Sequence, residues 1–227
     1  MGSEGQIRDY FTENEWAPTP GGRFLAAERF AILSRLGTSI AAPEDLEICD
    51  VGCGAAGDLV SWRDAGVSES RLHGTELVPS RAEAARAALP EADIHLVDGF
   101  NVPLASASVK LCTASLVLSS IRNDAARHRL LAEMARVTAP GGRVAVYDFR
   151  VRKPWNRNVV AISDRMLADA WRRPDVIIKA APFLPILELA LRLPRAVGRP
   201  LIALLPRTHR VWSWTVSPDN AEVAVER

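Results

Sequence analysis

Glu47-Ile-Cys-Asp-Val-Gly-Cys-Gly-Ala-Ala-Gly57 is an apolar run that stops in a glycine turn. Leu46 to Val51 predicts a strand, and Gly52, Gly54 and Gly57 predict the turn. Glycines at this spacing tolerate a positive φ and let the backbone approach a ligand, while the last lets the next helix pack tightly on the strand. This reads as a site for a nucleotide-like molecule. The spacing G-x-G-x-x-G suits a dinucleotide or a nucleoside equally well. Asp50 separates the two: a carboxylate beside the turn repels a pyrophosphate and attracts a ligand carrying an ammonium and a sulfonium.

The strands that follow end in residues of the right chemistry. Leu72 to Leu77 predicts a second strand ending in Glu76, 19 residues beyond Gly57. A carboxylate there accepts hydrogen bonds from both hydroxyls of a ribose. Ala92 to Val97 predicts a third strand, closed by Asp98-Gly99-Phe100. An Asp-Gly pair is also an ordinary turn, but the planar side chain of Phe100 can stack with a base. Val109 to Leu118 predicts the fourth strand and its loop. Arg143 to Tyr147 predicts the fifth, after Pro140-Gly141-Gly142 stops an amphipathic helix over Asn123–Val137. His128 falls on the polar face of that helix. Alanine-rich Pro79–Leu89 predicts another helix, with Ser80 as its N-cap. Upstream, apolar residues recur at helical spacing over Arg23–Leu36. Pro18-Thr-Pro-Gly-Gly22 stands before them as a breaker and Gly37 after them as a C-cap.

The segment Asp50-Val-Gly-Cys-Gly resembles motif I of the class I S-adenosylmethionine-dependent methyltransferases, and the ordered series over about residues 45–150 is similar to that family. Ala139-Pro-Gly-Gly-Arg-Val-Ala-Val-Tyr-Asp148 looks like its matching helix-turn-strand. The segment Leu205-Pro-Arg-Thr-His209 resembles the closing strand of small-molecule enzymes of the broad methyltransferase-11 kind. The resemblance implies an α/β fold: a Rossmann-like seven-stranded sheet, mostly parallel, with the last strand inserted antiparallel between the fifth and sixth and helices on both faces. It implies S-adenosylmethionine as cofactor and S-adenosylhomocysteine as product. Cofactor contacts are implied for Asp50, Gly52, Cys53, Gly54, Gly57, Glu76, Leu77, Asp98, Gly99, Phe100, Ser115 and Leu116. In this family an acidic residue at the Asp98 position accepts from the adenine amino group.

The whole chain sets bounds on this reading. A length of 227 residues holds one α/β domain with added segments. Residues 1–40 are expected to form an N-terminal flap and helix. Residues 41–227 are expected to form the main domain, with 151–206 as a substrate-side insertion carrying C-terminal helices. Tyr10, Phe11 and Trp16 would make the flap. Residues 1–150 hold 15 Lys/Arg against 20 Asp/Glu, whereas 151–227 hold 13 against 7, so the last third is basic. Cys49, Cys53 and Cys112 lack the paired spacing of a zinc site, so no metal is expected and the thiols read as reduced and cytoplasmic. No secretory leader is expected at Met1–Asp9, nor an apolar run of the ~20 residues a spanning helix needs.

The last third should choose the acceptor. Lys153–Asn158 reads as a loop, followed by a short helix capped by Ser163 or Asp164 and running to Trp171, then a sixth strand over Asp175–Ala181. Phe183–Leu205 is apolar but broken by Pro185, Pro194 and Pro200 and interrupted by Arg192, Arg195 and Arg199, which predicts two short helices. These could pack on the sheet, bind a hydrophobic acceptor, meet a second subunit as a homodimer, or touch a membrane surface peripherally. Arg207–Val216 alternates as a final strand. The basic residues lack an aromatic stacking series, so nucleic acid is not expected as a partner.

The expected reaction is in-line methyl transfer to a small-molecule or lipid-like acceptor, at oxygen. For a hydroxyl acceptor, a base must take the proton. Asp148 is the first candidate, followed by Tyr147 and His209, although His209 also reads as a structural hydrogen-bonding residue. The Asn/Asp-Pro-Pro-Tyr box of enzymes that methylate amide or base amino groups is absent, as are histidines near Ser119-Ser120. Two alternatives share the glycine spacing: an NAD(P)-dependent oxidoreductase, and a non-catalytic partner protein that only binds S-adenosylmethionine.

Overall fold

A computed structural model describes residues 19–151 and 159–217. The expected flap residues Tyr10, Phe11 and Trp16, and the loop Lys153–Asn158, lie outside the described residues. The strands are β1 (Ile48–Val51), β2 (Leu72–Glu76), β3 (Asp93–Leu96), β4 (Val109–Ser115), β5 (Thr138–Phe149), β6 (Val176–Pro182) and β7 (Arg207–Thr215). They form one sheet in the order β3-β2-β1-β4-β5-β7-β6. The first five pair in parallel, and β7 runs antiparallel between β5 and β6. The seven-stranded, mostly parallel sheet with its last strand antiparallel between the fifth and sixth is what the resemblance implies.

The helices are α1 (Pro20–Thr38), α2 (Gly57–Asp64), α3 (Pro79–Ala88), α4 (Asp124–Val137), α5 (Asp164–Ala170), α6 (Leu184–Ala190) and α7 (Arg195–Leu204). Alternation along the strands divides the core in two. Val144, Val146, Trp212 and Trp214 join Leu130, Leu131 and Met134 of α4 on one face. On the other, Ala145, Tyr147 and Val211 join Leu33 and Leu36 of α1 and Leu59 and Trp62 of α2. Burying both faces in this way is what a mostly parallel sheet requires. No helix among the described residues is long and apolar enough to cross a membrane.

Several boundaries differ from the sequence reading, each for a local reason. α1 starts inside the expected breaker, because Thr19 caps it by accepting from the Gly22 amide and Pro20 occupies the first turn, where its missing N–H costs nothing. Gly37 is not a C-cap but a helical residue, and a Cβ on it would lie 2.6 Å from Cη2 of Trp62. Val78, not Ser80, precedes α3, with Pro79 in its first turn. Pro140-Gly141-Gly142 lies inside β5; α4 already ends at Val137, and the glycines exchange backbone hydrogen bonds with Val216. Pro200 is accommodated inside α7, where the carbonyl it deprives of a partner belongs to exposed Ala196. Asn123 and Ser163 cap α4 and α5. His128 is exposed, and all three cysteines are buried free thiols.

α1 is tied to the body at three points. Glu28 accepts from the Ala181 amide (2.7 Å) and pairs with Arg207 (2.9 Å). The Gly21 amide donates to Glu188 of α6 (2.9 Å). Arg29 reaches across to Asp58 at the start of α2.

Candidate active site

The site lies where the parallel strands end. After Val51, the chain turns through Gly52 and Gly54 at φ +69° and +57°, where any other residue is strained. At Gly52 there is a second constraint, since a Cβ would sit 2.6 Å from Val117. Ala56 also takes a left-handed conformation, and α2 begins at Gly57. The Cys53 amide donates to the Thr75 carbonyl (2.9 Å), which fastens the turn to the end of β2.

Glu76, at that strand end, is 6% exposed. One carboxylate oxygen accepts from the amides of Leu77 (2.8 Å) and Val78 (2.9 Å). The other accepts from Gly54 in the glycine turn (2.8 Å). Three N–H donors fix the carboxylate beside the turn, and its oxygens retain lone pairs for hydroxyl donors. Asp98 is exposed just beyond β3, Gly99 is half-buried, and Phe100 packs into the core with Val102 and Ile121.

Asp50 is buried and accepts from Oγ1 of Thr113 on β4 (2.7 Å). Burial first, then the charge of Asp58, pushes its carboxyl up to about 7, against the lowering hydrogen bond from Thr113. Asp58 takes both arms of Arg29, at 2.7 to 3.2 Å, and a hydrogen bond from Ser115 (3.1 Å). The Arg29 guanidinium lies 5.5 Å from the ring centre of Tyr147. Ser115 stands opposite Tyr147 in the β4–β5 register, and the next residue, Leu116, is left-handed (φ +62°) and donates to the Tyr147 carbonyl. Three carboxylates and one guanidinium therefore surround the glycine turn.

The three expected bases are placed differently. Asp148 is fully enclosed, with its oxygens accepting from the amides of Ser119 (2.9 Å) and Phe149 (2.7 Å). Burial pushes its carboxyl up to about 6. It anchors the loop after β4. Tyr147 is 2% exposed, and burial drives its phenol well above the usual range, so it is a neutral donor. His209 is buried, stacked on Tyr147 at 5.1 Å and close to Phe149, with Nδ1 against the Thr208 hydroxyl (3.0 Å).

Sequence reading missed Arg29, Asp58 and Thr113. Asp58 left a signal, an acidic side chain directly after the third glycine in the first turn of a helix. Arg29 left none, since its partner is 29 residues away and the pair exists only once α1 has docked.

The strand order, with β7 antiparallel between β5 and β6, matches the Rossmann-like fold of methyltransferase structures. Residues 49–146 match the Methyltransf_11 family, described as a methyltransferase domain. Among curated relatives, the malonyl-[acyl-carrier protein] O-methyltransferase of Serratia marcescens is 30% identical over 143 residues, 63% of this chain and 50% of that protein. The ubiquinone/menaquinone biosynthesis C-methyltransferase UbiE of Campylobacter jejuni is 26% identical over 119 residues, 51% of this chain and 49% of that protein. The chain thus spans about half the length of the curated relatives it matches. Among solved structures, geranyl diphosphate C-methyltransferase from Streptomyces coelicolor A3(2), in complex with Mg2+, geranyl diphosphate and S-adenosyl-L-homocysteine, superposes with a TM-score of 0.66 at 14% identity, covering 95% of this chain and 98% of that one. The [4+2]-cyclase SpnF superposes at 0.67 and 14%, covering 96% and 97%. At such identities the likeness concerns the fold alone.

Proposed function

We propose that this chain transfers a methyl group from S-adenosylmethionine to a small-molecule or lipid-like acceptor, at oxygen. The observation that carries the reading is the Glu76 carboxylate, held by three backbone N–H groups against a left-handed glycine turn. The donor set fits the cofactor. Glu76 accepts from the ribose hydroxyls, and the left-handed turn at Gly52 and Gly54 lets the backbone approach the methionyl chain. Asp50, when ionised, places a negative charge beside the turn, which favours a ligand bearing a sulfonium and an ammonium over a pyrophosphate. Asp98 and the rim of Phe100 border the adenine side.

When bound, S-adenosylmethionine supplies an activated methyl group: the new bond forms to the acceptor, and the electrons of the broken sulfur–carbon bond stay on sulfur. The protein's part is to orient the acceptor in line and exclude water. Tyr147 offers a neutral hydroxyl, Arg29 a cation beside it, and Asp148 and His209 are occupied in holding β5 and its neighbours. Among the described residues, none of the three expected bases is poised to take a proton from an alcohol. The acceptor that suits this edge therefore brings an oxygen already ionised at neutral pH, such as a carboxylate or an acidic enol. The O-methyltransferase among the relatives supports oxygen as the target.

The test is calorimetry with S-adenosylmethionine and S-adenosylhomocysteine, followed by transfer of a labelled methyl group to a panel of carboxylates, phenols and alcohols. Micromolar binding with transfer to the carboxylates is expected. Failure to bind either form of the cofactor overturns the reading. Protection by NAD(P)H in its place assigns the oxidoreductase, and binding without transfer to any acceptor assigns a partner protein.

A further inference from the structure

The insertion between β6 and β7 exposes apolar side chains that the fold does not use. Of nine exposed large hydrophobic residues among those described, six fall within 184–204: Leu184, Ile186, Leu189, Leu193, Val197 and Leu204, with Leu189 59%, Val197 55% and Leu204 83% exposed. α6 and α7 form a close hairpin, since a Cβ on Gly198 would lie 2.5 Å from the Ala190 carbonyl oxygen. At roughly 100° per residue, α7 then has three sectors. Gly198 faces α6. Val197, Pro200 and Leu204 form a stripe pointing away from the body, at the four- and three-residue spacing of one helical face. Arg195 and Arg199 form the third sector, one turn apart.

The charge around this surface is one-sided. Between residues 176 and 217 the only acid is Glu188, and its carboxylate is engaged by the Gly21 amide. Arg192, Arg195 and Arg199 are exposed and have no ion-pair partner among the described residues. The hairpin is also placed at the working edge of the sheet. β5 and β6 both run antiparallel to β7, so β6 ends at Pro182 on the same side as the ends of β1, β2 and β4.

We propose that the α6–α7 hairpin docks the protein on an anionic lipid bilayer, with Leu193, Val197 and Leu204 entering the headgroup boundary and Arg192, Arg195 and Arg199 meeting lipid phosphates. An outward apolar stripe on one face of a helix with arginines on the polar face across from it is the pattern of an interfacial helix. A second copy of this chain fits less well. A two-fold contact through the same patch brings two sets of arginines together, with the engaged Glu188 the only acid among residues 176–217. The docking is independent of which acceptor is methylated.

The test is flotation of the purified chain with vesicles of phosphatidylcholine alone and of phosphatidylcholine with phosphatidylglycerol, at low and high salt. Binding to the anionic vesicles is expected, weakened by salt as the arginine contacts are screened. Replacing Arg192, Arg195 and Arg199 by Gln lowers the partition coefficient at least tenfold, each charge near the surface contributing roughly fivefold. Leu193→Ser with Val197→Ser and Leu204→Ser lowers it by a similar factor. All six side chains are exposed, so both variants keep the cooperative thermal transition of the parent. Absence of binding to either vesicle at low salt overturns the proposal, as does parental binding by both variants. Light scattering that finds a dimer, dissociated by the three serine substitutions, gives the surface to a second copy and overturns it as well.

Discussion

The Arg29–Asp58 pair offers the most direct probe of how the N-terminal helix and the glycine turn depend on each other. The two side chains are 18% and 6% exposed and share a bidentate contact. Asp58→Asn leaves the guanidinium enclosed with one neutral acceptor. Removing one partner of a buried pair costs about 3–5 kcal/mol; the residual exposure of Arg29 reduces this to roughly 2–3 kcal/mol. Arg29→Met strands the carboxylate instead and also removes the contact with Tyr147, about 0.5–1 kcal/mol more. In a domain of this size, each change lowers the melting temperature by roughly 5–10 °C. The double variant has no unpaired charge left, so it is less destabilised than the sum of the singles, by about 1.5–3 kcal/mol. Urea unfolding of the four proteins at neutral pH measures that coupling. Single losses that add to within about 0.5 kcal/mol refute the idea that the pair acts as a unit.

Glu76→Gln keeps the shape but loses the charge, and with it roughly 10- to 100-fold in S-adenosylhomocysteine affinity by calorimetry, the worth of one hydrogen bond to a charged acceptor; an unchanged affinity removes Glu76 from the site. Gly37→Ala should gain about 1 kcal/mol of helix propensity but forces its methyl against Trp62, so a net loss of about 1–2 kcal/mol is expected on denaturation. Stability should also depend on pH. Asp50 and Asp148 rise from an ordinary 3.8 to about 7 and about 6 on folding, so the folded state binds the extra protons. Their contribution is complete below about pH 4 and is lost as pH rises through 6 to 7. Glu133, Asp164 and Asp175 are held low and act only on the acid side of their ordinary values. Between about pH 5 and 7.5 the urea midpoint should therefore fall, and Asp50→Asn should flatten the slope; a rising midpoint contradicts the assignment.

What the sequence made legible was local. Glycine spacing, the apolar run before it and an acid at the next strand end are written within thirty residues, and they mark both the turn and Glu76. The sheet order was legible only through resemblance, because nothing in Arg207–Thr215 says which strand it will lie beside. Helix ends were misplaced where a proline or glycine has two uses: Pro20 starts a helix although it stands in a breaker, and Gly142 lies in a strand so close to β4 that a Cβ would strike the Lys110 carbonyl oxygen at 2.6 Å. Asp148 carried the right residue type at the right strand end to be a base. Its burial, and its use by two backbone amides, are products of packing that no one-dimensional pattern reports.

The position of β7 has a consequence for how the chain matures. It separates β5 from β6, and among the described residues β6 pairs with no other strand. As synthesis proceeds, residues 176–204 emerge before the strand that will hold them, and β5 meanwhile presents an open edge. Folding of the nascent chain is therefore completed from inside the sheet, by a late insertion rather than by addition at a margin. Until that insertion, the α6–α7 hairpin is tethered to the sheet but not oriented on it.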